Sequence, residues 1–157
     1  KYIVEGIYIV LFKIVPNGQK ALVTGAAGGI GRSTAKAFAE LGADVALMDI
    51  PQKLEELNAI CKEIQDNICE ESVETFVGEA VQELGTLDIL HSNAGIVAIG
   101  DNPNVEIEKW NKVLDVNLTG MMLVCRTVAN VMIEHKHGGA IVNTASMSAH
   151  IINNRGF

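Results

Sequence analysis

The stretch Thr24-Gly25-Ala26-Ala27-Gly28-Gly29-Ile30-Gly31 constrains this chain more than any other part of it. It follows the apolar run Lys20-Ala21-Leu22-Val23 and leads into an amphipathic stretch over residues 32–41. A strand, a glycine-dense turn and a helix start, in that order, place an anion site at the mouth of a parallel sheet. Glycine has no Cβ, so its backbone can touch a bulky charged group. The helix N-terminus adds N–H groups without intrahelical partners and a partial positive charge. Glycines that merely tighten a turn or let a helix lie close to a strand leave a similar trace. Here the strand before, the helix after and an acid downstream agree on a dinucleotide site. Gly25, Gly29, Ile30 and Gly31 are the candidate contacts of its diphosphate.

The downstream acid is Asp49. Gly42 reads as a helix stop, and residues 44–48 as a second buried strand that ends at Asp49 before Pro51 opens another helix. Asp49 lies close to the ~20-residue spacing at which a carboxylate meets the adenosine ribose hydroxyls. A carboxylate there accepts both hydroxyl protons and repels a phosphate. Two unit charges about 4 Å apart repel by roughly 4 kcal/mol at an effective dielectric near 20, the upper end for a wet rim. The expected cofactor is therefore NAD, with NADP disfavoured. The competing reading is an aspartate that ends a strand and caps the helix at Pro51.

Composition narrows the function classes. The 157 residues suffice for one domain with a sizeable core. Apolar residues make up 48% and mean hydropathy is +0.25, which suits a parallel sheet covered on both faces. The net charge of −7, without a block of Lys or Arg, argues against nucleic acid as a partner. Cys61, Cys69 and Cys125 are odd in number and lack metal-ligand spacing, so reduced thiols in a cytoplasmic protein and no metal site are expected. Residues 1–19 read as an arm that packs on the domain or on a partner subunit. Their apolar run is far shorter than a membrane span and is interrupted by Lys13, so no membrane is expected.

The remainder alternates strand and helix, the pattern of a doubly wound α/β domain over residues 20–157. In the first helix, Ile30, Thr34, Phe38 and Leu41 fall on one face. Leu54, Leu57, Cys61 and Ile64 recur at helical spacing, and a helix over residues 71–84 points Val73, Phe76, Val77, Ala80 and Leu84 inward. Residues 87–91 form the next strand and end in Ser92-Asn93-Ala94-Gly95; a turn at 100–103 follows. A long helix over residues 105–135 carries Trp110, Leu114, Leu118, Met121, Val124, Val128 and Met132, and residues 140–144 form the last strand. The methionines read as core filler, His135 and His137 as helix C-terminal caps, and His91 as a satisfied core residue. Between Ile64 and Glu70 there is no room for the strand this architecture requires. The chain begins at Lys1 and stops at Phe157 just past a strand, so we expect it to be a piece of a longer protein.

Four signatures in register resemble the short-chain dehydrogenase/reductase family, in its single-domain type of roughly 250 residues. Residues 24–31 fit its T-G-x-x-x-G-x-G, and Asn93-Ala94-Gly95 its N-A-G. Asn117 in Asp115-Val116-Asn117 fits its helix asparagine, and Ser146 in Asn143-Thr144-Ala145-Ser146 its catalytic serine. The wording around Trp110 and Ser146 is most similar to polyol and sugar reductases. The resemblance implies hydride transfer between a nicotinamide and a secondary alcohol or ketone. In that chemistry a tyrosine moves the hydroxyl proton, and a lysine a turn further on lowers its pKa. Ser146 would orient the substrate oxygen, and Asn117 would anchor a water that relays the proton. Asn93, Ala94 and Gly95 would border the cofactor. Gly28 stands where NADP-dependent members place a basic residue, which again favours NAD. A homo-oligomer, dimer or tetramer, paired through the long helix is also implied.

The departures are as informative. None of the eleven residues after Ser146 is a tyrosine, Tyr2 and Tyr8 precede the first strand, and no Tyr-x-x-x-Lys occurs. The fragment alone is expected to be inactive. By its distance from residues 70–73, Asp66 is the candidate for the family's adenine-side aspartate, normally at the end of the third strand. Ser148 competes with Ser146, and Asn93-Ala94-Gly95 could be only a turn. The second function class is a dinucleotide-binding sensor or regulatory module without catalysis on the same fold.

Overall fold

The computed structural model describes residues 2–4, 7–9, 18–49, 70–97 and 105–146. An antiparallel pair of short strands, β1 (Tyr2–Val4) and β2 (Ile7–Ile9), forms a small sheet of its own within the N-terminal arm. The domain proper is a four-stranded parallel sheet of β3 (Lys20–Thr24), β4 (Asp44–Met48), β5 (Ile89–Ser92) and β6 (Ala140–Asn143). Its spatial order is β4-β3-β5-β6, so the chain steps outward from β3 to β4 and then returns to the far side of β3. That reversal puts a crevice between the carboxyl ends of β3 and β5, where open α/β sheets hold their ligands. The helix expected at residues 54–64, the join before Glu70 and the turn at 100–103 lie outside the described residues.

The crossovers are α1 (Gly29–Glu40), α2 (Glu70–Leu84) and a long helix in three parts. These are α3 (Ile107–Leu114), a π-helical turn at Asp115–Gly120, and α4 (Met121–Glu134). Neighbouring residues of β3 face opposite ways, as strand geometry demands. Leu22 packs with Val73, Val77, Leu90, Val124 and Val128 under α2 and α4. Val23 packs with Ala27 and Ala35 under α1. Helices therefore cover both faces, the doubly wound arrangement. At about 25 cal/mol per Å² of apolar surface removed from water, burial of these side chains is the main stabilising term.

Local differences from the sequence expectations have physical causes. Helix α1 starts at Gly29, one residue before Ile30, the first residue expected on its inward face. Ile30 sits in that first turn beyond the sheet and is 63% exposed, while Gly31 and Ala35 face the sheet. β4 is only half-buried, and β6 is exposed along its length. Met132 fills the core as expected, but Met122 is exposed. The whole helix Ile107–Glu134 is long and apolar enough by length and composition to cross a membrane. Leu123, Val124, Val128 and Met132 are nonetheless buried against the sheet and α2, so that half is a core helix.

Candidate dinucleotide site

Thr24 closes β3 and organises the crevice. Its hydroxyl oxygen accepts the backbone N–H groups of Asn93, at 2.9 Å, and Ala94, at 3.0 Å, so the segment after β5 is pinned to the end of β3. The Asn93 side-chain amide donates back to the carbonyls of Thr24 and Gly25, at 3.2 and 3.3 Å. Gly25 has a φ of +64°, and a Cβ there would stand 2.9 Å from Ala94 Cα. A Cβ at Gly31 would collide with the carbonyl oxygen of Gly25 and crowd the Asn93 amide. Glycine at both positions is required by packing between turn and strand end.

Gly29 is different. A Cβ there would meet nothing within 4 Å. It is the first residue of α1, whose N-cap Gly28 offers no side-chain cap and whose first turn holds no acid. The first-turn N–H groups lack intrahelical acceptors by construction and carry a positive dipole end, and Gly28, Gly29 and Ile30 are exposed. A diphosphate fits both the charge and the room. Asp49 stands at the end of β4, and its Oδ2 accepts the Ala27 N–H at 2.8 Å. The expected ribose carboxylate therefore also braces the glycine turn.

The two candidate catalytic residues approach from the other side. Asn117 lies in the π-helical turn, a distortion common at functional sites. Its Oδ1 accepts the Ile96 N–H and its Nδ2 donates to the Ile96 carbonyl, both at 2.8 Å. This pair anchors the loop after β5, and Gly95 lies beneath it, where a Cβ would come 3.4 Å from Asn117 Oδ1. Ser146 follows the carboxyl end of β6 and is exposed at the same edge of the sheet. The structure thus gathers Gly25, Gly31, Asn93 and Ala94 in direct contact, joins Gly95 to Asn117, and ties Asp49 to the turn. Ser148 lies outside the described residues, as does Asp66.

Sequence reasoning passed over Thr24 as a site residue, although it opens the motif. It also took His91 as fully satisfied. His91 is buried on β5 with Nε2 3.0 Å from Thr144 Oγ1, but its Nδ1 has no hydrogen-bond partner among the described residues. Burial lowers its pKa from the usual 6.5. His135 supplies the C-cap of α4, as expected. His137 instead reaches back to Thr86 Oγ1, at 2.6 Å, and lies 3.4 Å from Asp88 at the opposite edge of the sheet.

A parallel sheet with a glycine turn and a bare helix N-terminus at its reversal point defines a dinucleotide-binding domain. Residues 19–156 match the short chain dehydrogenase family. The chain belongs to that family, whose cofactors are the nicotinamide dinucleotides NAD and NADP. It is 41% identical over 137 residues to a mitochondrial borneol dehydrogenase of Lavandula x intermedia, covering 82% of this chain and 52% of that protein. It is 33% identical to a sorbitol dehydrogenase of Cereibacter sphaeroides, over 84% of this chain and 54% of that one. A short-chain type dehydrogenase/reductase from Mycobacterium marinum superimposes with a TM-score of 0.78 at 34% identity, over 88% of this chain and 60% of that structure. The chain spans about half the length of the curated relatives it matches.

Proposed function

We propose that this chain is the cofactor-binding part of an oxidoreductase that moves a hydride between NAD(H) and a secondary alcohol or ketone, with a polyol or sugar as substrate. The observation that carries the reading is the turn itself. Gly25 and Gly31 are accounted for by packing, whereas Gly29 is open at a helix N-terminus of the right charge for a diphosphate. The Asp49 carboxylate beside that turn supports NAD over NADP. The bound nicotinamide supplies the hydride chemistry. Ser146 holds the substrate oxygen, and Asn117 keeps the loop after β5 in place through Ile96. The second proton and second lone pair of the Asn117 amide suit it to anchor a water. The sorbitol dehydrogenase among its relatives supports a polyol substrate.

A second copy of the chain is the natural cover for the exposed stripe Ile107, Trp110, Leu114, Leu118 and Met122 on the long helix. An odd cysteine count, with Cys125 free, suits the reducing cytoplasm. The test of the cofactor reading is an equilibrium titration with NADH and NADPH followed by nicotinamide fluorescence. Saturable binding with NADH the tighter is expected. No binding of either, or tighter NADPH, refutes it.

A further inference from the structure

His91 stands between Val23 of β3 and Val142 of β6, on the face opposite Leu90. It is 7% exposed, an uncommon place for an imidazole in a central strand. Its Nε2 lies 3.0 Å from Thr144 Oγ1, which in turn lies 3.1 Å from Asn93 Oδ1. The direction of every proton in this row follows from its far end. Asn93 faces two backbone carbonyls, those of Thr24 and Gly25, and carbonyls only accept. Its amide nitrogen must therefore point at them, which turns Oδ1 toward Thr144 as an acceptor. Thr144 has one hydroxyl proton, and Asn93 takes it. Thr144 can then only accept from His91, which requires the proton to sit on Nε2. Nδ1 is left bare, in agreement with its lack of any partner among the described residues.

We propose that His91 is a positioning residue of the dinucleotide site: held as the Nε2–H tautomer, it donates to Thr144, which orients the Asn93 amide against the Gly25 turn. The inference rests on the dinucleotide reading for its function, though not for its hydrogen bonds. Two consequences follow from position. Asn93 Nδ2 is the group that a Cβ at Gly25 or Gly31 would crowd, so its orientation bears directly on the phosphate turn. Thr144 also continues the sheet ladder, with its N–H on the Ser92 carbonyl at 2.9 Å, and precedes Ser146 by two residues. One row of hydrogen bonds thus spans the ends of β3, β5 and β6, joining the cofactor turn to the segment that delivers Ser146. Burial acts in the same sense by disfavouring the imidazolium.

The experiment has two readouts on the same chain. Nitrogen-15 NMR of the four histidine rings near neutral pH reads the tautomer, and His91 is expected to carry its proton on Nε2 alone. A proton on Nδ1 overturns the proposal. NADH titration then reads the coupling. His91→Leu and Thr144→Val are each expected to weaken binding by about three- to tenfold, the range of one lost hydrogen bond. The double variant should be no weaker than the weaker single one, because both break the same row. His91→Gln, which can place an amide N–H near the Nε2 position, should recover most of the loss. Additive losses, or a Gln variant no better than Leu, overturn the positioning role. A parent chain that binds no NADH refutes the dinucleotide reading alone, and the tautomer still decides the hydrogen-bond row.

Discussion

Asp49 is asked to do two things, and two substitutions separate them. Its Oδ2 accepts the Ala27 N–H at 2.8 Å, and its charge stands where the adenosine ribose is expected. A hydrogen bond to a charged group contributes about 1.5–3 kcal/mol, and this one belongs at the lower end because it is part-buried and water can replace it. Asp49→Ala removes both the bond and the charge. It should destabilise the unliganded protein by roughly 1.5 kcal/mol, read as a shift in the urea midpoint at unchanged slope. Asp49→Asn keeps an oxygen for Ala27 and removes the charge alone, so most of that stability should remain. The charge governs selectivity. The ~4 kcal/mol repulsion of a 2′-phosphate at close range falls to about 1–2 kcal/mol once a solvated rim and salt screen it, a preference of roughly 5- to 30-fold. Both variants should lose that preference in parallel NADH and NADPH titrations. An Asn variant that keeps the full preference would show that the carboxylate does not select the cofactor. An Ala variant as stable as the parent would show that it does not brace the turn.

The remaining predictions contrast neighbours. Gly29→Ala places a methyl group in open space, so stability should hold or rise by up to about 1 kcal/mol while NADH affinity falls, since that space is the diphosphate's. Gly31→Ala drives a methyl group into the Gly25 carbonyl and should cost about 1–3 kcal/mol of stability or more, measured in the same urea series. If both variants lose stability equally, the distinction between packing glycine and ligand glycine is wrong. The pH dependence has a definite sign. The folded-state pKa of His91 is lowered by burial, so the unfolded chain takes up this proton at a higher pH than the folded one. Stability should therefore decline as pH falls below about 6.5, until the folded-state pKa is passed. The His91→Gln variant should lose that part of the slope in urea midpoints measured across the range; an unchanged slope contradicts the assignment.

What the sequence made legible was whatever is written in consecutive residues. The buried central strands β3 and β5 read as short apolar runs, whereas the equally apolar β6 is exposed, and the turn at Gly25 and Gly31 announces itself by composition. The inward face of α2 was also plain, because Val73, Phe76, Val77 and Ala80 share one helical stripe and all four are buried. The start of α1 was legible to within a residue from Ile30, although Gly31 is a poor helix former packed against Gly25 and Asn93. The same stripe logic did not distinguish Trp110 and Leu118, which are exposed, from Val124 and Val128, which are buried, because period alone does not say what covers a face. Asn117 of the π-helical turn pairs with the loop at Ile96, 21 residues away in sequence, which no local pattern announces. The row from His91 through Thr144 to Asn93 spans more than 50 residues of sequence at each step, so only the folded sheet brings it into being.

The central claim is that a dinucleotide lies with its diphosphate on the first turn of α1. Amide NMR of the chain during NADH addition tests this most directly, because each backbone N–H reports its own environment. The account predicts that the amides of Gly29, Ile30 and Gly31 shift most and saturate together with those of Ala94 and Gly95. Saturable shifts confined to other parts of the chain, with these five amides unmoved, would contradict it.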